Sequence, residues 1–133
     1  MRPGLEPGVF AEMEVLVAPE MCPHFDGALV HPLYATWTLV YHMEVTGRKL
    51  LAPHLEEDEE AVGAHISVDH RSMATLGSIV RIRAEVEQCT PHRLTTTMSA
   101  HCGPRLLATG RFVQVIMPRR RLETLIQRHR PQT

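Results

Sequence analysis

No stretch of this 133-residue chain approaches the roughly 20 consecutive apolar residues that cross a bilayer. The opening MRPGLEPGVF also lacks an apolar core of signal-peptide length, so a cytoplasmic protein with no membrane role is expected. Paired cysteines are missing too. Cys22, Cys89 and Cys102 form no CxxC unit, and an odd count fits a reducing compartment better than a disulfide framework. Neither sign of charge is in excess. Fourteen Lys and Arg stand against 15 Asp and Glu, a formal net charge of -1, which gives no push toward nucleic acid. An anionic ligand would have to be held by a local basic patch. The nine histidines show neither HExxH nor a Cys/His ligand spacing, so no metal and no other cofactor is expected.

What is present is an ordinary globular composition, 44% hydrophobic and 22% charged, over a length that suffices for one core and not two. We expect a single domain over 1–133, with its core at about 9–117 and a basic tail at 118–133. The first eight residues, with Pro3, Gly4, Pro7 and Gly8, read as a loose opening. From Val9 the chain alternates: Val9, Ala11, Met13, Val15 and Val17 share one side, Phe10, Glu12, Glu14 and Leu16 the other, the pattern of a half-buried strand. Met21 to Pro32 reads as a connection. About Thr36 to Ala52 is one long helix, with Trp37, Val40, Met43, Gly47, Leu50 and Leu51 as its expected core stripe, Thr36 as N-cap and Pro53 as terminator. The acidic run Glu56 to Glu60 reads as a solvated loop. Alternation then predicts strands over Ala64–Arg71, Ser78–Glu87, Leu94–Cys102 and Arg105–Met117, and the end, Arg119 to Arg130, reads as a short basic helix. One helix against an antiparallel sheet is an α+β architecture.

Three residues stand out for chemistry. Glu44 falls in the expected apolar stripe, where a carboxylate is costly unless it is paired or kept for acid–base or nucleophilic work. His70 continues the inward face set by Ile66 and Val68. Thr36 stands at the helix entrance, eight residues and ~12 Å of helix axis from Glu44. Contact between those two needs a bend at Thr36 or a contribution from a partner subunit.

Tyr34-Ala35-Thr36, then Glu44, then Gly63-Ala64-His65-Ile66-Ser67-Val68-Asp69-His70 before Ala74-Thr75 resembles the fluoroacetyl-CoA thioesterase family of hot-dog-fold proteins. Pro53-His54-Leu55-Glu56 and Gly110 fit the same pattern. The resemblance implies a hot-dog fold, a central helix wrapped by about five antiparallel strands, and an acyl-CoA thioesterase acting as a homodimer. It implies Thr36, Glu44 and His70 as catalytic residues, with Val30, Tyr34, Trp37 and Gly63 at the substrate. Glu44 would serve as nucleophile or as base on water, His70 would handle proton transfer, and Thr36 would position the carboxylate or the thioester carbonyl. Gly27 and Val30 stand where the fluoroacetyl-specific member carries aromatic lid residues, and Arg111-Phe112-Val113-Gln114 replaces a family Thr-His-Glu-Arg run. A wider entrance, without fluoroacetyl specificity, is therefore expected. The rival reading is a non-catalytic acyl-CoA-binding module. Arg119-Arg120-Arg121 reads as a solvated basic tail, with a grip on coenzyme A phosphates as its alternative.

Overall fold

The alternation of small apolar residues with charges dictates most of the sheet. In the computed structural model, which describes residues 1–132, Val80, Ile82, Ala84 and Val86 are at most 2% exposed, while their neighbours Arg81, Arg83 and Glu85 reach solvent. They belong to β5 (Ile79–Thr90), which lies between β1 (Phe10–Leu16) and β6 (Arg93–Cys102). With β7 (Arg105–Pro118) and β4 (Glu59–His70) the five-stranded sheet has the order β1-β5-β6-β7-β4, antiparallel throughout. Its free edges are β1 and β4.

The helix α1 (Thr36–Leu51) lies on the apolar face of this sheet, and Pro53 follows in a 3-10 turn over Ala52–His54. It buries Leu39, Met43, Thr46, Gly47, Leu50 and Leu51. Each buried Leu or Met side chain is worth ~1.5–3 kcal/mol of apolar transfer. The expected stripe was therefore rotated: Met43, Gly47, Leu50 and Leu51 are core, but Trp37 is 50% exposed and Leu39 takes the inward place. Glu44 is exposed, on the same outward face as Trp37, Tyr41 and Arg48, so it is not a buried carboxylate. Alpha-1 carries two apolar stripes, and the sheet takes the one with leucine and methionine and without the charge. Two glycines allow the close approaches. A Cβ on Gly47 would sit 2.6 Å from Phe112 Cδ2, and one on Gly110 would sit 2.2 Å from the Ser67 carbonyl oxygen across the β4–β7 pair.

Three further expectations are corrected. The opening segment is not loose: Leu5 is 6% exposed within the core, and the Arg2 amide donates to the His54 carbonyl at 2.6 Å. Proline and glycine exclude regular structure there but not packing. Met21 to Pro32 holds a hairpin, β2 (His24–Phe25) and β3 (Ala28–Leu29), closed by Asp26 and Gly27 at φ 52° and 80°. Two positive-φ residues in a two-residue loop make the type I′ turn that Asp-Gly favours. The acidic run is only half loop. Glu59 and Glu60 open β4, and Glu60 pairs with Arg48 at 2.6 Å and Arg119 at 3.5 Å. The terminal helix α2 spans Arg119–His129 with no fully buried residue, and no helix among the described residues is long and apolar enough to cross a membrane.

Candidate active site

The start of α1 is fixed by backbone pairing with the chain beyond β4. Tyr34 N–H donates to the Ala74 carbonyl at 2.8 Å, Ala35 N–H donates to Met21 at 2.9 Å, and Leu33 bridges Thr75. Ala35, not Thr36, is the N-cap, and no side chain caps the helix. Thr36 is thus the first helical residue, and its hydroxyl is free for another partner. That partner is His70, the last residue of β4, with Oγ1 and Nδ1 2.9 Å apart.

His70 Nε2 is buried and has no hydrogen-bond partner among the described residues. Burial lowers the pKa of the imidazole, and the Ser72 backbone opposes this more weakly. The ring is therefore neutral at pH 7, one nitrogen held by Thr36 and the other unengaged. A neutral imidazole can take up a proton and, as imidazolium, hand it on.

Thr36 and His70 open on a cavity of about 900 Å³. Tyr34, Trp37, Phe25, Leu33 and Met73 line it together with Arg71 and Arg105. The Arg105 guanidinium donates to the Ser72 hydroxyl and the Met73 carbonyl, pinning the loop that follows His70. Tyr34 contributes to the lining although it is only 2% exposed, because its hydroxyl is committed inward. It shares a 2.5 Å hydrogen bond with His42 Nδ1, and the two rings stack with centroids 5.8 Å apart. Burial pushes the Tyr34 hydroxyl up and the His42 imidazole down, so both are neutral.

The other residues singled out from sequence lie elsewhere. Glu44 does not line the cavity, and α1 runs unbroken from Thr36 through it, so no bend brings the two together. Val30 is 54% exposed outside the cavity, its amide bonded to the Pro23 carbonyl. Gly63 sits at a β-bulge in β4, ~23 Å of strand from His70. The basic tail is farther still. Pro118 pairs with Glu59, a full β4 length or ~36 Å from His70, and Arg120, Arg121 and Arg128 border a separate cavity of about 490 Å³.

Sequence reasoning missed Phe25, His42 and Arg105. Phe25 had a signal in the Asp26-Gly27 turn beside it. His42 had one in its place between Leu39 and Met43 on the inward helix face. Arg105 had none, since only the fold brings it to residues 72–73.

The pattern of the family described as fluoroacetyl-CoA-specific thioesterase matches residues 17–120. This chain belongs to that family. The fluoroacetyl-CoA thioesterase of Streptantibioticus cattleyicolor is 26% identical over 99 residues, 74% of this chain and 71% of that one. A thioesterase superfamily member from Thermus thermophilus superposes with a TM-score of 0.89 at 38% identity, covering 96% of this chain and 94% of its own. A variant of the fluoroacetyl-CoA thioesterase in complex with acetyl-CoA superposes at 0.83, with 22% identity over 95% and 99% of the chains. The fold is the hot-dog fold, α1 cradled by the five-stranded sheet, and the family is one of thioester hydrolases acting on acyl-CoA.

Proposed function

We propose that this protein hydrolyses an acyl-CoA to the free acid and coenzyme A in the cytoplasm, as a homodimer, with Thr36, His70 and Glu44 as its reacting groups. The observation that carries the reading is the Thr36–His70 hydrogen bond in the lining of a substrate-sized cavity. Water oxygen bonds to the thioester carbonyl carbon, the C–S bond breaks, and a proton reaches the departing thiolate. His70, neutral at pH 7 and part of the cavity lining, is the group that moves that proton. Thr36 holds its Nδ1 and orients the imidazole. The first N–H groups of α1 lack intrahelical acceptors and favour the developing oxyanion.

Glu44 enters from a second copy. An exposed carboxylate on an unbent helix ~12 Å along from Thr36 does not reach the same cavity within one chain. The free edge of β4 and the outward residues Tyr41, Glu44 and Arg48 supply the surface for pairing, and Gly63 on that edge comes with it. Three cysteines without a disulfide support the reducing compartment. Fluoroacetyl-CoA is not the preferred substrate, because Gly27 lies in an open turn and Val30 outside the cavity, so neither closes it.

The test is thiol release from a panel of acyl-CoAs. Glu44→Gln and His70→Ala each lower turnover by at least ~100-fold. Mixing the two inactive variants restores roughly a quarter of the activity, since half the dimers are mixed and each has one intact site. Absence of thiol release, with binding retained, returns the protein to the non-catalytic module. Failure of the mixture to recover places Glu44 in the same chain as His70.

A further inference from the structure

We infer that Phe25 and Trp37 form the acyl-recognition wall of this cavity and select a flat aryl acyl group, a reading that rests on the proposed thioesterase activity. Phe25 ends β2, and the Asp26-Gly27 turn returns the chain at once, so the ring stands at the end of a short, tightly closed hairpin. Its ring meets the Trp37 indole edge to face, with centroids 5.5 Å apart and planes at 80°. Both line the cavity, yet Phe25 is 58% and Trp37 50% exposed. Two large rings left half in water beside Leu33 and Met73 are an apolar surface without an occupant.

The remaining lining tells which part of the substrate goes there. The exposed Arg71 shares the cavity and suits a phosphate of the carrier, which leaves the aromatic wall to the acyl group. A volume of about 900 Å³ leaves room beside the carrier for more than a two-carbon acyl group. An edge-to-face pair presents one ring's face and another's edge, and a third ring packs against such a pair by offset stacking or edge contact. An alkyl chain of equal size gains only burial. The ring is supplied from a hairpin position, not from Gly27 or Val30, so aromatic cover here is compatible with a cavity open to a substrate of that size.

The experiment compares phenylacetyl-CoA with cyclohexylacetyl-CoA, equal in carbon skeleton and differing in the ring's flatness and π-system, with hexanoyl-CoA as the unbranched control. For the unaltered protein kcat/KM for phenylacetyl exceeds that for cyclohexylacetyl by about threefold to tenfold, the scale of an aromatic contact. Phe25→Leu and Trp37→Leu, which keep apolar bulk, each bring that ratio toward one. A ratio near one in the unaltered protein, or one untouched by Phe25→Leu, overturns the inference. The same ratio is read from dissociation constants by calorimetry. An aryl preference in binding without turnover therefore sinks the hydrolase reading and leaves the aromatic wall standing, whereas turnover with no aryl preference does the reverse.

Discussion

The buried Tyr34–His42 pair lends itself to a double-mutant cycle. His42 is 7% and Tyr34 2% exposed, so neither polar atom can turn to water if its partner is lost. Tyr34→Phe removes only the hydroxyl and strands His42 Nδ1, at a cost of ~1–3 kcal/mol. His42→Leu strands the Tyr34 hydroxyl at a similar cost. The double variant replaces both partners with apolar groups of comparable shape and leaves nothing stranded, so its loss is smaller than the sum of the single losses by ~1–3 kcal/mol. For a chain of this size 1 kcal/mol moves Tm by ~3–5 °C, which thermal or denaturant unfolding resolves. Burial lowers the His42 pKa below its ordinary value of 6.5, so as pH falls past that value the unfolded chain takes up the proton first. The stability is complete above pH 6.5 and is lost as pH falls through the folded value. The acid-side slope becomes shallower in His42→Leu. Simple addition of the two single losses would show that the 2.5 Å contact carries no coupling, and an unchanged slope would contradict a His42 imidazole held neutral by burial.

His70 supports a kinetic counterpart. Its depressed pKa places the acid limb of the kcat/KM profile below pH 6.5 and leaves activity level through neutrality, and a limb above 6.5 would contradict a desolvated imidazole. Gly110→Ala forces a Cβ into the Ser67 carbonyl oxygen 2.2 Å away and destabilises by ~3 kcal/mol, measured in denaturant. Gly47→Ala, which meets the ring of Phe112, costs ~1–3 kcal/mol, and a neutral result would mean that the ring swings clear.

The sheet was legible because β5 and its neighbours bury one face, and burying one face writes a period of two into the sequence. The helix was legible in extent, from Thr36 to the approach of Pro53, but not in orientation. Trp37, Val40 and Tyr41 make one apolar stripe and Leu39, Met43, Gly47 and Leu50 another. Periodicity alone does not say which of two stripes meets the sheet. The hairpin was signalled by Asp26-Gly27 but its strands are two residues each, too short for any alternation to develop. Leu5 gave no signal at all, because one apolar residue among prolines and glycines has no period.

The rotation of α1 changes the grounds on which Glu44 is singled out. From sequence it drew attention as a carboxylate inside an apolar stripe, and that reason disappears once Glu44 faces outward. Its interval from Thr36 and the family pattern remain, and an outward position changes what they require. A carboxylate in water beside Trp37 and Tyr41 becomes reactive only when something covers it and removes that water. The free edge of β4 runs alongside as a second unpartnered feature, and a sheet edge of twelve residues is a standing invitation to strand pairing. In the proposed dimer one second copy would meet both needs, pairing the edge and desolvating the carboxylate. Thr36 and His70 need no such help, because the Leu33–Thr75 bridge already joins their segments within one chain. The division between a pair assembled in one chain and a carboxylate awaiting another is therefore what the mixed-variant experiment reads.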